Sequence, residues 1–254
     1  MEVALLTVGD ELLSGDTLNT NANWLAAQLT DRGVRVARIL SVADDSDEIM
    51  SHVEQYSSEF DRVIVTGGIG GTPDDLTMQA VAAAFDRDLR ATELTRKSVD
   101  QRLAELEARM PDRELALDCE AEAAVPEGSR PLLNETGLAP GCVIENVYVL
   151  PGIPGELKAM FETVATEFNG NRQSTFLYTI EPEANIVPAL EAAMDEFPVT
   201  VGCYPDREAA HNRLKLTATD AATLDAAADW LLSTINASKT PVSRGWSSDE
   251  QSAE

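Results

Sequence analysis

The sequence has few of the side chains that carry imidazole or thiolate chemistry. Its 254 residues include two histidines, His52 and His211, and three cysteines, Cys119, Cys142 and Cys203. The cysteines are far apart and odd in number, which argues against a disulfide framework and against a thiolate metal site. We therefore interpret them as small buried apolar side chains. Any metal ion must then be held by oxygen, which favours Mg²⁺ or Mn²⁺ over zinc.

Positive charge is also scarce. The chain has 19 Lys and Arg residues against 44 Asp and Glu residues, a formal net charge of −25. Such an excess keeps a protein soluble but produces self-repulsion that salt must screen, so we expect a high-salt cytoplasm. Nothing in the sequence forms the basic stripe that binding to a phosphate backbone requires, so no nucleic acid is expected as a partner.

Long apolar runs are missing as well. No run approaches the ~18 residues that a membrane helix needs. The N-terminus opens directly into a predicted strand without the basic segment of a signal peptide. We therefore expect a cytoplasmic protein with no membrane role. With 44% hydrophobic residues, the chain can bury one large core, or one core of about 170 residues and a smaller one.

The most informative stretch is a glycine-rich loop over residues 66–72. It follows a β-branched run at 62–65, which predicts a buried strand, and precedes an alanine-rich run at 78–85, which predicts a helix. A glycine loop between a strand and a helix N-terminus is typical of anion sites, because its backbone N–H groups can turn inward. The loop lacks the Walker and dinucleotide spacings and is weak evidence by itself. The candidate phosphate-binding residues are Thr66, Gly67, Gly68, Ile69, Gly70, Gly71 and Thr72.

Two acids, Asp74 and Asp75, follow this loop at once. Carboxylates beside a bound phosphate are expected where a cation lies between them and the phosphate. The structural alternative is that Thr72 is the N-cap of the following helix and Asp74 lies in its first turn, where the helix dipole favours an acid.

Acids also follow two earlier predicted strands. The strand at 2–8 leads into an acidic turn with Asp10 and Glu11, and the strand at 34–42 leads to Asp44, just before a predicted helix at 46–58. Parallel strands bring such ends to one edge of a sheet. We therefore predict Asp10, Glu11, Asp44 and Asp75 as ligands of a divalent cation. The alternative for Asp10 and Glu11 is an ordinary turn or cap role.

Further polar residues are candidates for the same cleft. Asn19 and Asn21 lie at the start of a predicted helix over 19–30, and capping accounts for only part of that polar run. Asn134 and Gly137 lie in a turn-rich segment, and such loops often carry function. After paired strands at 142–145 and 147–150, Pro151 and Gly152 begin the turn into a helix that reaches 168, with Glu156 near its positive end.

The remaining segments predict a covering helix over 92–110, a loop with short elements over 111–130, and a linker at 170–171. Beyond the linker, residues 176–180, 182–197, 199–204, 213–218 and 221–235 read as β-α-β-β-α. We predict a first domain over 1–169, a small second domain over 172–237 and a disordered tail over 238–254.

These motifs, in this order, resemble the molybdopterin-binding MoaB/Mog fold in its CinA-like (competence/damage-inducible protein A) branch. The resemblance covers about residues 1–168 and rests on the segments 9–15, 19–21, 66–77, 134–141 and 151–156 together with Asp44. It implies a three-layer α/β domain with a mostly parallel sheet, plus the small α+β second domain. It also implies a cleft for a pterin or nucleotide with its phosphates, and a homo-oligomer, with a dimer favoured.

The resemblance further implies roles for the acids. In MoaB/Mog relatives, acids that match Asp44 and Asp75 serve the metal and the chemistry of molybdopterin adenylylation. In CinA-like relatives the cleft is associated with metal-dependent cleavage of a nucleotide pyrophosphate such as ADP-ribose, and a related domain accompanies FAD synthesis. We predict Asp44, Asp75 and Glu156 as catalytic residues, with Glu156 orienting the ribose or the water.

The sequence departs from the family pattern in three ways. It leaves no room for the C-terminal nicotinamide mononucleotide deamidase domain of full-length CinA proteins. The usual Gly-Pro-Thr is Gly70-Gly71-Thr72, and the usual Lys-Gln-Ala is 121–123, Ala-Glu-Ala, which removes a cation. The leading hypothesis is a metal-dependent nucleotide pyrophosphatase. The alternatives are a molybdopterin-binding or adenylyl-transferring protein and a non-catalytic nucleotide sensor.

Overall fold

The computed structural model describes residues 1–109 and 117–242. The chain divides into two compact units, Met1–Gly170 and Asn171–Glu254. Residue 110 of the predicted helix and residues 243–254 of the predicted tail lie outside the described ranges. Within those ranges, no helix is both long enough and apolar enough to cross a membrane.

The first unit is built on a six-stranded sheet. The strands of this unit are β1 (Glu2–Val8), β2 (Arg35–Val42), β3 (Arg62–Thr66), β4 (Leu89–Ala91), β5 (Ala124–Pro126), β6 (Arg130–Leu132), β7 (Gly141–Ile144) and β8 (Val147–Leu150). The sheet order is β2-β1-β3-β8-β7-β6, and β4 and β5 form a separate antiparallel pair. The neighbours from β2 to β8 run parallel, and β8, β7 and β6 run antiparallel.

Helices cover both faces of this sheet. They are α1 (Asp10–Ser14), α2 (Thr20–Asp31), α3 (Ser46–Glu59), α4 (Thr77–Ala84), α5 (Glu93–Arg109), α6 (Cys119–Glu122) and α7 (Pro154–Val164), which continues as a 3-10 turn over Ala165–Glu167. Alternate residues of β1 face opposite sides. Leu6 packs in the core on the side of α3 and α4, and Leu5 packs in the core on the side of α2 and α7. The predicted three-layer α/β fold is confirmed.

The strand register brings the predicted functional turns together. Val8 pairs with Val42, and Thr7 pairs with both Ser41 and Thr66. Thr66 in turn pairs with Leu150 of β8. The four loops that follow β1, β2, β3 and β8 therefore leave the same edge of the sheet.

Several local predictions were wrong. The segment after β1 is the short helix α1 rather than a turn, because its first-turn acids suit the helix dipole and Gly15, at φ +82°, ends it in the left-handed conformation. Helix α4 begins at Thr77 with Leu76 as its N-cap, so Thr72 does not cap it and Asp74 lies outside it. By contrast, the predicted loop with short elements is confirmed over the described residues 117–130, which contain α6 and β5 as well as loop.

The cysteines are free thiols, but only one is fully buried. Burial raises the pKa of Cys142 to about 12, so this thiol stays protonated and unreactive. Cys119 and Cys203 are half-buried, so the prediction that all three are buried was wrong.

The second unit has a four-stranded antiparallel sheet with two helices on one face. Its elements are β9 (Gln173–Thr179), α8 (Glu183–Glu196), β10 (Thr200–Asp206), β11 (His211–Ala218), α9 (Ala221–Thr234) and β12 (Ala237–Ser238), in the order β10-β11-β9-β12. Its core joins Leu177, Leu214 and Leu216 of the sheet to both helices. The predicted β-α-β-β-α omitted β12, a two-residue strand that pairs with the end of β9.

Candidate functional site

The glycine loop that follows β3 is held from both sides by hydrogen bonds. Thr66 Oγ1 donates to the Pro151 carbonyl oxygen at 2.7 Å, and Gly67 N donates to the Leu150 carbonyl oxygen at 3.3 Å. From the other side, Thr77 Oγ1 donates to the Gly67 carbonyl oxygen at 2.7 Å. The predicted residues Thr66, Pro151 and Gly67 are therefore brought together at the strand ends.

Gly67 is the tightest point of this loop. It has φ +102°, and a Cβ atom there would lie 2.3 Å from the Val8 carbonyl oxygen. A Cβ atom on Gly152 would lie 3.2 Å from the Gly67 Cα atom. The backbone segments after β1, β3 and β8 thus pack closer than side chains would allow.

Asp44 joins the loop after β2 to two other loops. Its Oδ2 accepts from Asp10 N at 2.9 Å, and Asp10 Oδ1 accepts from Asp44 N at 3.4 Å. The other oxygen, Asp44 Oδ1, lies 3.6 Å from the position of a Cβ atom on Gly68. One oxygen of each carboxylate thus accepts from the backbone of the other residue, and the second oxygen of Asp44 faces the glycine loop. The Glu11 carboxylate folds back over Gly9.

Asp75 reaches the same loop from its far end. Its Oδ2 accepts from Thr72 N at 2.9 Å and from Thr72 Oγ1 at 2.6 Å. It also lies 2.8 Å from the position of a Cβ atom on Gly70. Asp44 and Asp75 therefore both point at the glycine loop, at different glycines.

Glu156 belongs to a second part of the site. It accepts from Asn134 Nδ2 at 2.7 Å and occupies the space where a side chain on Gly137 would lie. Asn134 Oδ1 accepts from Gly137 N at 2.7 Å. The buried Asn134 thus fixes both the turn and the carboxylate.

Arg102, on α5, is a residue that the sequence reasoning missed. Its Nη2 donates to the Thr136 carbonyl oxygen at 2.9 Å, and its Nε donates to the Gly137 carbonyl oxygen at 3.2 Å. The helix that we predicted as a surface cover therefore also clamps the turn beside Glu156. The helical pattern of α5 gives no sign of this contact, because it depends on a turn 34 or 35 residues further along the chain.

Glu122, on α6, is a third carboxylate near Asp75 and Glu156. Its Oε2 lies 2.7 Å from the position of a Cβ atom on Gly71. Burial, and then the negative charges of Asp75 and Glu156, raise its pKa above the ordinary value for glutamate. The signal for this acid in the sequence is Ala-Glu-Ala at 121–123, which differs from the usual Lys-Gln-Ala by an added carboxylate as well as by a lost cation.

We expect Glu122→Gln to stabilise the protein at pH 8, with a rise in Tm of about 2–4 °C. A raised carboxyl pKa means that the folded state binds more protons than the unfolded state, so its stability falls as pH rises through that pKa. The gain should shrink as the pH falls towards the ordinary glutamate value. Thermal unfolding from pH 5 to pH 8 measures it.

The matched control is Glu120→Gln, two residues earlier on α6. Hydrogen bonding from Arg96 lowers the pKa of Glu120, so its charged form is favoured in the folded protein. This variant should gain nothing at pH 8. A Glu122→Gln protein that is less stable than wild type at pH 8 would show that the ionised carboxylate is favourable in the site.

The predicted metal ligands do not form a ready-made cage. Over the described ranges, no group of three or more His, Cys, Asp or Glu side chains is placed to hold a metal ion. The four acids therefore stay predicted ligands: Asp10, Glu11, Asp44 and Asp75. Two of them, Asp44 and Asp75, reach the glycine loop.

A small cavity of about 80 Å³ lies between α1, α2 and the glycine loop. Asn19 is committed to the protein: its Oδ1 caps α2 at Ala22 N, and its Nδ2 donates to Thr7 Oγ1 at 2.9 Å. Asn21 differs, because Nδ2 donates to the Gly152 carbonyl oxygen at 2.7 Å while its buried Oδ1 has no hydrogen-bond partner in the described part of the chain. Both asparagines and Gly152 line the cavity.

The first unit is thus a three-layer α/β domain with a glycine loop and acids at the carboxyl edge of its parallel strands, the edge where such folds bind small ligands. Comparison with known protein families identifies the family of this first unit. Residues 4–169 match the model described as a probable molybdopterin binding domain, so the chain belongs to that family. Residues 172–242 match the model described as the FAD synthase middle domain.

Relatives agree with this assignment. An Archaeoglobus fulgidus protein is 35% identical over 207 residues, 81% of this chain and 86% of the relative. A Thermococcus kodakarensis protein is 36% identical over 241 residues, 91% and 96% of the two chains. A CinA-like protein of Citrifermentans bemidjiense is 37% identical over 249 residues, 93% of this chain but 59% of its own length.

The crystal structure of CinA from Thermoplasma acidophilum, described as of unknown function, superposes with a TM-score of 0.57. It is 32% identical, and the match covers 66% of this chain and 97% of that one. The resemblance to the MoaB/Mog and CinA-like proteins is confirmed. The homo-oligomer stays a prediction.

Proposed function

We propose that Met1–Gly170 binds a pyrophosphate joined to a nucleoside or a pterin, and hydrolyses it with the help of a divalent cation. The observation that carries this proposal is the placement of Asp44 and Asp75 against Gly68 and Gly70 of one loop. Gly67 N and Thr72 N donate to Leu150 and Asp75, so the amides between them would hold phosphate oxygens. The two carboxylates beside them would then need a cation between themselves and the phosphate.

The donors present suit Mg²⁺ or Mn²⁺. Magnesium is usually held by one or two carboxylates together with substrate phosphates rather than by a cage of protein groups. Asp44 and Asp75 supply that number of carboxylates, so the ion would arrive with the substrate. When bound, it supplies charge neutralisation and a more acidic water.

The chain's own residues have the remaining tasks. The glycine loop would orient the pyrophosphate. Glu156, which accepts a hydrogen bond from Asn134, would orient a ribose hydroxyl or the attacking water. Arg102 would keep the turn at Gly137 in place so that Glu156 does not shift. Such positioning contributes to the rate by reducing the entropy lost on reaching the transition state.

Asn21 supports a ligand that carries an N–H donor. A buried acceptor without a partner costs about 1–3 kcal/mol, which a hydrogen bond from a ligand would recover. The amino groups of adenine and of a pterin are donors of this kind. The cavity beside the glycine loop would then take the edge of the ring while the loop takes the phosphates.

The second candidate is a molybdopterin-binding or adenylyl-transferring protein that performs no hydrolysis. The family match over residues 4–169 favours it. The same glycine loop, the same acids and the unpartnered Asn21 Oδ1 would serve this function. The two candidates therefore differ in whether a pyrophosphate is hydrolysed and not in the architecture of the cleft.

The deciding experiment is incubation of the whole purified chain with ADP-ribose or FAD and Mg²⁺ or Mn²⁺, in high and in low salt. Release of AMP, followed by chromatography, supports the pyrophosphatase. Tight binding of a pterin without release of AMP supports the second candidate. If neither ligand binds and no AMP appears, both proposals are rejected.

A further inference from the structure

Within the described residues 171–242, no helix covers one face of the sheet of the second unit, and at one end of that face His211 Nδ1 lies 2.6 Å from the Val242 carbonyl oxygen. Leu177, Leu214 and Leu216 point to α8 and α9. Because strand residues alternate between faces, their neighbours point to the opposite side. We call this side the open face. Its larger side chains are Phe176 and Tyr178 on β9, Tyr204 and Asp206 on β10, and His211, Arg213 and Lys215 on β11.

The open face arranges rings and cations in rows. In one row, Tyr204 pairs with Arg213, and Arg213 pairs with Tyr178. In the next row, Lys215 pairs with Phe176, and its Nζ lies 5.9 Å from the centre of that ring. Each cation therefore stands beside at least one aromatic ring.

Two of the three rings are well exposed, and Tyr178 is half-buried with its ring 5.2 Å from that of His211. Tyr204 is 50% exposed and Phe176 is 37% exposed. The Tyr204 ring lies across Gly202, where a Cβ atom would come within 2.8 Å of its hydroxyl oxygen. Large exposed rings are costly to leave in water unless they serve as a contact surface.

The charge of the open face differs from that of the rest of the chain. Arg213 and Lys215 lie on it, and among its described residues Asp206 is the single acid. The other acids of this unit lie on its helices and loops, as in Glu191 of α8 and Asp229 of α9. In a chain of net charge −25, the open face is thus a local concentration of positive charge.

The rings and cations of the open face indicate what kind of molecule would bind there. A second copy of the chain would bring the same two cations, Arg213 and Lys215, and one acid, Asp206, to the interface, which gives poor charge complementarity. The occupant must instead be anionic, and the rings favour one with a flat aromatic system, since stacking and cation contacts then act together. We propose that the open face binds a free nucleotide, with its base against Tyr204, Tyr178 or Phe176 and its phosphate on Arg213 and Lys215.

A free nucleotide fits better than a nucleic acid strand. The positive stripe is confined to β11, and the surrounding chain would repel a long polyanion. The inference does not rest on the function proposed for Met1–Gly170, because the two concern different units.

The test uses the whole isotope-labelled chain with AMP as the probe, at low salt. Binding is followed through the NMR signals of individual residues, which locates it in one unit or the other. We expect AMP to shift the signals of Phe176, Tyr204 and Arg213. Arg213→Gln should weaken this binding about tenfold, as expected for loss of a charged hydrogen bond. Tyr204→Ala should weaken it similarly, and Tyr204→Phe should retain it.

The control is Lys239→Gln, which removes the same charge from the same unit. Lys239 pairs with Asp229 of α9 at 3.0 Å and lies away from the rows of the open face. It should change AMP binding by less than about twofold. The proposal is overturned if AMP shifts only signals of the first unit, if Lys239→Gln weakens binding as much as Arg213→Gln, or if affinity grows with the length of an oligoadenylate. None of these results affects the proposed pyrophosphatase, which is tested by AMP release.

Discussion

Replacement of Asp75 by Asn should lower the rate of pyrophosphate cleavage by about 100-fold or more while the protein stays folded. Loss of a single group that stabilises developing charge costs 10²–10³ in rate in well-studied sites. Asp75 Oδ2 contacts Thr72 and approaches Gly70, so the substitution removes negative charge where the cation is expected and leaves the size of the side chain unchanged. The initial rate of AMP release from ADP-ribose at saturating Mg²⁺ measures the effect.

The adjacent acid provides the control. Asp74 lies outside α4. A hydrogen bond from the Thr72 side chain lowers the pKa of its carboxyl, but Asp74 is not among the nearest groups to Gly68 or Gly70, whereas Asp75 is the nearest group to Gly70. Asp74→Asn makes the same chemical change one residue away and should alter the rate by less than about threefold. Equal losses in the two variants would mean that overall negative charge, and not the position of Asp75, matters for the reaction. An active Asp75→Asn enzyme would remove this residue from the proposed machinery.

Gly67→Ala should destabilise the first unit by about 3 kcal/mol or more, which corresponds to a fall in Tm of about 10 °C. Two costs combine at this position. An alanine at φ +102° is strained by about 1–2 kcal/mol, and its Cβ atom would lie 2.3 Å from the Val8 carbonyl oxygen, a backbone atom that cannot rotate away. Denaturant and thermal unfolding measure the loss directly.

Gly155 is the matched comparison for this substitution. It lies in the first turn of α7, has no positive φ, and a Cβ atom there would meet nothing within 4 Å. Gly155→Ala should therefore leave stability unchanged or raise it by up to about 1 kcal/mol, since alanine is the better helix former. A Gly67→Ala protein as stable as wild type would show that the strand ends are not packed as tightly as described.

Much of the architecture could be predicted because it is encoded locally. The runs at 2–8 and 62–65 are mostly apolar, and the run at 34–42 is rich in β-formers although it contains Arg35 and Arg38. The turn formers after these runs mark the edge that carries the candidate site. The convergence of Asp44 and Asp75 on the glycine loop could be expected from parallel topology alone, since that topology places three strand exits side by side. The role of each acid in binding or catalysis stays a prediction.

The elements that could not be predicted depend on distant parts of the chain. Arg102 is one charged residue among many on α5, and only the folded turn at Thr136 gives it partners. Glu122 lies on a four-residue helix without a periodic pattern, and its neighbours Asp75 and Glu156 come from far away in the sequence. Strand β12 is two residues long and is defined by its pairing with β9 rather than by its own composition.

The exchange of hydrogen bonds between Asp10 and Asp44 bears on how tightly the cleft can bind a ligand. Each carboxylate accepts from the other residue's backbone N–H, so the first and second strand exits are locked to one another. The conformational entropy of ordering these exits is then lost during folding and not at each binding event. Differences in affinity between ligands of such a preorganised cleft should lie mainly in the dissociation rate. Removal of the hydrogen bonds between Asp10 and Asp44 should weaken the binding of every ligand by a similar factor, whatever its ring system.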